Sequence, residues 1–158
     1  MTNSPGTTGR YAILCSRFND LVVDRLEVGA RRALVRSGAA DDDVETHWVP
    51  GALELPIVAK ALAESGRFDA IVVLGAVVRG DTYHFEIVAN TSAAGLSQVA
   101  LATGVVITNG ILTVDSMEQA LDRAGGKSGN KGADAAMAAV ETAAIIQAAL
   151  GSGSSAAC

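Results

Sequence analysis

Two rhythms of apolar positions take turns along this chain. Residues 11–16, YAILCS, form a short apolar run closed by a polar turn, which predicts a strand. In residues 20–37 the apolar positions Val22, Leu26, Ala30 and Leu34 recur on one face of a helix. Asp20 suits its start as a cap and Gly38 its end. VETHWV (44–49) alternates and predicts a second strand, and residues 54–64 predict a helix with Pro56 tolerated in its first turn. DAIVVLGAVV (69–78) is continuously apolar, the mark of a strand covered on both faces. Residues 84–102 read as a helix and GVVITNGIL (104–112) as another buried strand. A helix begins at Ser116, with Glu118 and Gln119 in its first turn, and ends near Gly125. GGKSGNKG is then a loop, and residues 133–150 are a long helix of strong formers.

Four strands alternating with helices predict an α/β fold: a mostly parallel four-stranded sheet with helices on both faces. Ligands in such folds sit outside the carboxyl ends of the strands. Chemistry is therefore expected at Arg17-Phe18-Asn19, at 50–54 (PGALE), at 79–84 (RGDTYH) and at Asn109-Gly110.

Length and composition narrow the class. A chain of 158 residues fits one domain, here 11–150, with flexible segments expected at 1–10 and 151–158. A net charge of −5 and no basic stripe argue against nucleic acid as a partner. No uninterrupted apolar run reaches the ~18 residues of a membrane span, and the N-terminus lacks a signal-peptide pattern. Cys15 and Cys158 match no metal spacing, so a reduced, cytoplasmic protein without a metal is expected, with Cys158 an exposed thiol. Only 18% of residues are charged, and the small apolar residues suit either close subunit packing or an alanine-rich helical surface.

The segment GAVVRGDT (75–82) nearly matches a phosphate-binding loop between strand and helix. Asp81 stands where that motif needs lysine and would repel a nucleotide's phosphates, so nucleotide hydrolysis is excluded. A glycine turn entering a helix still offers free N–H groups to a single phosphate, or serves only as a turn. His84 has the chemistry for proton transfer near neutrality, or caps a helix turn. His47, inside a strand beside Trp48, reads as structural. Phe18 can stack on a planar ring or pack into the core. Glu54 can accept ligand hydroxyls or favour a helix dipole. Arg123, Lys127 and Lys131 around a glycine-rich loop can close on a phosphate or a carbonyl, or stay solvated. Asp134 reads as a cap or dipole residue.

Taken in order, RFN (17–19), VPGALELP (49–56), LGAVVRGDTYHFEIV (74–88), NGILTVDSMEQALDRAG (109–125) and GKSGNKG (126–132) resemble the lumazine synthase family, over about residues 10–150. The resemblance implies a flavodoxin-like three-layer sandwich. It implies a transferase of riboflavin biosynthesis, without cofactor or metal. Such an enzyme joins 5-amino-6-(D-ribitylamino)uracil to 3,4-dihydroxy-2-butanone 4-phosphate, giving 6,7-dimethyl-8-ribityllumazine, phosphate and water. By that similarity the catalytic residues are His84, as acid/base, and Arg123, as a phosphate-binding cation supplied by a neighbouring subunit. Gly80, Asp81 and Thr82 line the phosphate pocket, and Phe18 stacks on the pyrimidine. Ala52, Leu53 and Glu54 hold the ribityl chain, and Val77 and Val78 edge the heterocycle. Lys131 reaches the ring across the interface. Asn109 departs from the phenylalanine many members carry, replacing ring packing by hydrogen bonding at that wall. The expected partners are further copies, as a homopentamer, and riboflavin synthase is a further candidate. The short G-x-K-x-G-N loop is similar to that of members forming a shell of twelve pentamers. The alternative reading is a catalytically weak flavin-binding or shell-forming protein of the same fold.

Overall fold

A computed structural model describes residues 9–157. Most of the expected N-terminal segment 1–10, and Cys158 with its expected thiol, lie outside the described residues. Four parallel strands, β1 (Tyr11–Ser16), β2 (Val44–Val49), β3 (Ala70–Val78) and β4 (Val106–Val114), form one sheet in the order β2-β1-β3-β4. The helices are α1 (Asp20–Arg36), α2 (Leu55–Glu64), α3 (His84–Thr103), α4 (Met117–Asp122) and α5 (Lys131–Ala157). Helix α5 continues past Leu150, where the sequence pattern places its end. Short 3-10 turns precede β2 and α2.

The two strands read as continuously apolar are the central ones, because only there are both faces covered. All of β1 and all of β3 up to Val77 are buried. Alternate side chains divide between two cores. Tyr11, Ile13, Cys15, Val72 and Leu74 face α1 and α5. Leu14, Ile71 and Val73 face α2 and α3. Each fully buried Val or Leu contributes on the order of 1.5–3 kcal/mol. The outer strands β2 and β4 are only partly buried: β4, read from sequence as another buried strand, is instead an edge strand, since only β3 pairs with it and Asn109 and Thr113 are exposed.

Between Lys131 and Gly151, α5 has the length and mean hydropathy (1.3) of a membrane-crossing helix by composition, although Asp134 and Glu141 interrupt it. Its stripe Ala135, Ala136, Ala139 and Ala143 packs into the α1 core, while its larger apolar side chains Met137, Ile145, Ile146 and Leu150 are exposed.

Three local expectations need correction. Asp20 does not cap α1. That position falls to Asn19, whose left-handed backbone (φ 64°, ψ 43°) turns its side chain away from the helix. Strand β4 runs to Val114 rather than Leu112, because its pairing with β3 continues to Val78↔Val114. The glycine-rich loop is an antiparallel hairpin of β5 (Ala124–Gly126) and β6 (Gly129–Asn130), with Gly125 and Gly129 at positive φ.

Candidate active site

The carboxyl ends of β1, β2 and β3 open onto one depression of about 300 Å³. Its floor is Ala76, Val77 and Val78, the end of β3. After β1, the Asn19 Nδ2 donates to the Ala76 carbonyl at 3.0 Å, tying this loop to the floor. Phe18 beside it is left 72% exposed at the rim, an aromatic face with solvent where a ring could lie. After β2, the turn from Gly51 brings Ala52, Leu53 and Glu54 to the wall, with Glu54 N–H closing onto the Gly51 carbonyl at 3.2 Å. The Glu54 carboxylate has no partner among the described residues, so its acceptors point to solvent in the cleft.

The third wall is the loop from β3 to α3. Arg79 anchors it: its N–H donates to the Val114 carbonyl at 2.8 Å and its Nε to Asp115 Oδ1 at 2.9 Å. The Arg79 guanidinium also lies 4.8 Å over the ring of Phe85, which itself lines the depression. Beyond this anchor come Gly80, Thr82 and His84. A Cβ on Gly80 would meet nothing within 4 Å, so the loop is open on this side. Thr82 Oγ1 accepts the His84 N–H at 3.3 Å, and α3 starts at His84. Within that first turn the His84 and Glu86 N–H groups are already engaged, by Thr82 Oγ1 and by the Tyr83 carbonyl, so what borders the same space and favours an anion is the positive end of the α3 dipole.

A second depression, of about 330 Å³, lies along the β4 edge from Ile111 to Val114. Arg123, Ser128, Lys131 and Asp134 complete its lining. Ser116 caps α4, its Oγ accepting the Gln119 N–H at 3.1 Å, and Arg123 is the residue that ends that helix. The Arg123 Nη1 donates back to the Gln119 carbonyl at 3.1 Å. Lys131 is the first residue of α5, and its N–H donates to the Arg123 carbonyl at 2.8 Å.

The chain thus brings Phe18, Ala52, Leu53, Glu54, Val77, Val78, Gly80, Thr82 and His84 together. Arg123 and Lys131 it places together elsewhere. Asp81 is exposed and lines neither depression. Asn109 also lines neither: it is exposed in the middle of β4, with Oδ1 accepting the Ile111 N–H at 2.9 Å. Asn19, expected from sequence only as part of the Arg17-Phe18-Asn19 turn, joins the first site with Ala76, Phe85 and Val88, and Thr113, Ser128 and Asp134 join the second, the last six not singled out from sequence as ligand-facing. Asn19 had a legible signal, since asparagine directly after a strand tolerates the left-handed turn. The first depression offers an aromatic rim, a carboxylate, an imidazole and a helix start. The second offers two cations and one carboxylate.

A family model described as 6,7-dimethyl-8-ribityllumazine synthase matches residues 8–147. Among solved structures, a de novo designed Rossmann fold protein, ROS2_835, is similar at 17% identity and a TM-score of 0.40, over 71% of this chain and 90% of that one.

Proposed function

This chain belongs to the 6,7-dimethyl-8-ribityllumazine synthase family, and we propose that it catalyses that synthesis itself. The substrates are 5-amino-6-(D-ribitylamino)uracil and 3,4-dihydroxy-2-butanone 4-phosphate. The observation that carries the reading is the convergence of Phe18, Glu54, Thr82 and His84 on one cleft at the sheet's carboxyl edge. Phe18 stacks on the pyrimidine, Glu54 accepts from the ribityl hydroxyls, and the phosphate lies against the Gly80–Thr82 loop and the start of α3. The substrate amine attacks the ketone and the carbinolamine loses a first water to give a Schiff base. Phosphate leaves, the enol tautomerises, and the second amine closes the ring with loss of water. His84 carries protons between these steps. Holding two reactants in one cleft can itself supply effective molarities of roughly 10⁵ M or more.

In a single chain the cations stand apart from this cleft. We infer that a second copy lays its β4 edge, with Arg123 and Lys131, against the first copy's cleft. Arg123 then meets the phosphate and Lys131 the pyrimidine. A head-to-tail contact of this kind closes into a ring, which fits a homopentamer, and the short hairpin supports assembly of pentamers into a shell.

The test is to follow lumazine fluorescence above the uncatalysed rate in wild type and Arg123→Ala. Catalysed formation that Arg123→Ala weakens supports the reaction and the phosphate role. No acceleration by folded, assembled wild type overturns both.

A further inference from the structure

We propose that Asn130 is the positioning residue for both cations of the β4-edge depression, acting as a lock between the hairpin, α5 and α1. Its Nδ2 donates to the Arg25 carbonyl of α1 at 3.1 Å. Its Oδ1 accepts the Ala133 N–H at 3.1 Å, capping the first turn of α5. One amide therefore joins two helices distant in sequence. The cations flank it directly. Lys131 is the next residue, and Arg123 precedes Ala124, the cross-strand partner of Asn130. The Lys131 N–H to Arg123 carbonyl bond ties their backbones together.

Two glycines make room for the lock. Gly29 lies inside α1, where glycine weakens a helix, yet a Cβ there would overlap the Asn130 side chain. Gly132 is buried, and a Cβ there would overlap the Leu26 carbonyl. The α5 start thus rests on the main chain of α1 at the turn whose neighbouring carbonyl Asn130 holds. Lys131 is exposed on a long side chain, so its aim depends on how firmly its backbone is fixed; Arg123, also exposed, is held further by its Nη1 bond to the Gln119 carbonyl.

What the lock does for substrate rests on the reaction proposed above. The experiment compares wild type with Asn130→Ala, Asn130→Asp and Gly29→Ala, each confirmed as folded and assembled. Hydrogen exchange of the 123–132 peptide is read by mass spectrometry, and kcat and KM are read for the butanone phosphate. Asn130→Ala should speed exchange of this peptide by about tenfold or more, since locking contacts set local opening. Its KM should rise about tenfold with kcat little changed, because the cations bind ground state and transition state alike. Asn130→Asp keeps the cap but sets a carboxylate against the Arg25 carbonyl, so it should match Asn130→Ala in KM. Gly29→Ala should raise KM as well, although it gives α1 a better helix former. Unchanged exchange in Asn130→Ala overturns the inference, as does wild-type KM in Asn130→Asp, or faster exchange with unaltered KM. Faster exchange in the variants alongside a wild type that forms no lumazine leaves the lock standing and removes the reaction instead.

Discussion

His84 is exposed at the first position of α3, with only its backbone N–H engaged, so its ring is free to exchange protons with a bound substrate. Replacing it by alanine should lower kcat by about a hundredfold, the low end of general acid–base effects, and leave residual turnover from proximity. A lumazine-forming rate equal to wild type would remove His84 from proton transfer. Arg123→Ala should act differently. Loss of a charge-assisted bond costs roughly 1.5–3 kcal/mol, or about 10- to 100-fold in KM for the phosphate substrate. Cys15 gives a contrasting case. Burial, reinforced by the carboxylates of Glu27 and Asp24, pushes its thiol far above the ordinary range. The folded chain keeps this proton while an unfolded chain loses it, so stability should fall as pH rises past the ordinary thiol value. Peptide mapping after alkylation at pH 8 should find Cys15 unlabelled in the native protein and labelled in urea. Placement at the cleft was legible where one side chain carries a chemical type, as with His84, Glu54 and Phe18. Placement was illegible where backbone decides: Asn109, expected at a ligand wall, instead accepts the Ile111 N–H of its own strand.

Elements were legible wherever apolar spacing is strong. The runs in β1 and β3 are unbroken because helices cover both faces, and α1 shows its buried stripe plainly. Leu74→Ala, which empties a fully buried position on the α1–α5 face, should cost about 2–5 kcal/mol, read as a shift in the urea midpoint without a change in slope. The β5–β6 hairpin was not legible. Glycine, lysine and serine carry no alternation, and its form is held by main-chain bonds and by Asn130. Helix α4 is short and depends on its cap. Ser116→Ala should remove about 1 kcal/mol there. Because α4 ends in Arg123, that change should raise KM for the phosphate substrate severalfold while the melting temperature moves little. A KM equal to wild type would mean that Arg123 is held by the hairpin alone.

For the whole molecule, sheet order settles what residue order could not. The family resemblance alone puts Arg123 and Lys131 on a neighbouring subunit; the residues themselves gave no position relative to the 80–82 loop. The arrangement β2-β1-β3-β4 sets them on the outer edge of the last strand, away from the cleft at the ends of β1, β2 and β3. If the proposed shared site holds, a chain alone has two incomplete halves, and sedimentation should find the active species as pentamers or larger. The division also has a consequence in genetics. Consider one defective allele carrying Glu54→Ala and His84→Ala, and another carrying Arg123→Ala and Lys131→Ala. In the proposed ring, each makes an assembly whose every junction is impaired, most plainly at substrate concentrations well below the raised KM. Co-expressed in equal amounts, they mix at random around the ring, and about a quarter of the junctions join an intact cleft to an intact cation edge. At low substrate, two impaired alleles should thus complement one another to about a quarter of wild-type activity. Purified rings of either kind, mixed without subunit exchange, should show no such rescue.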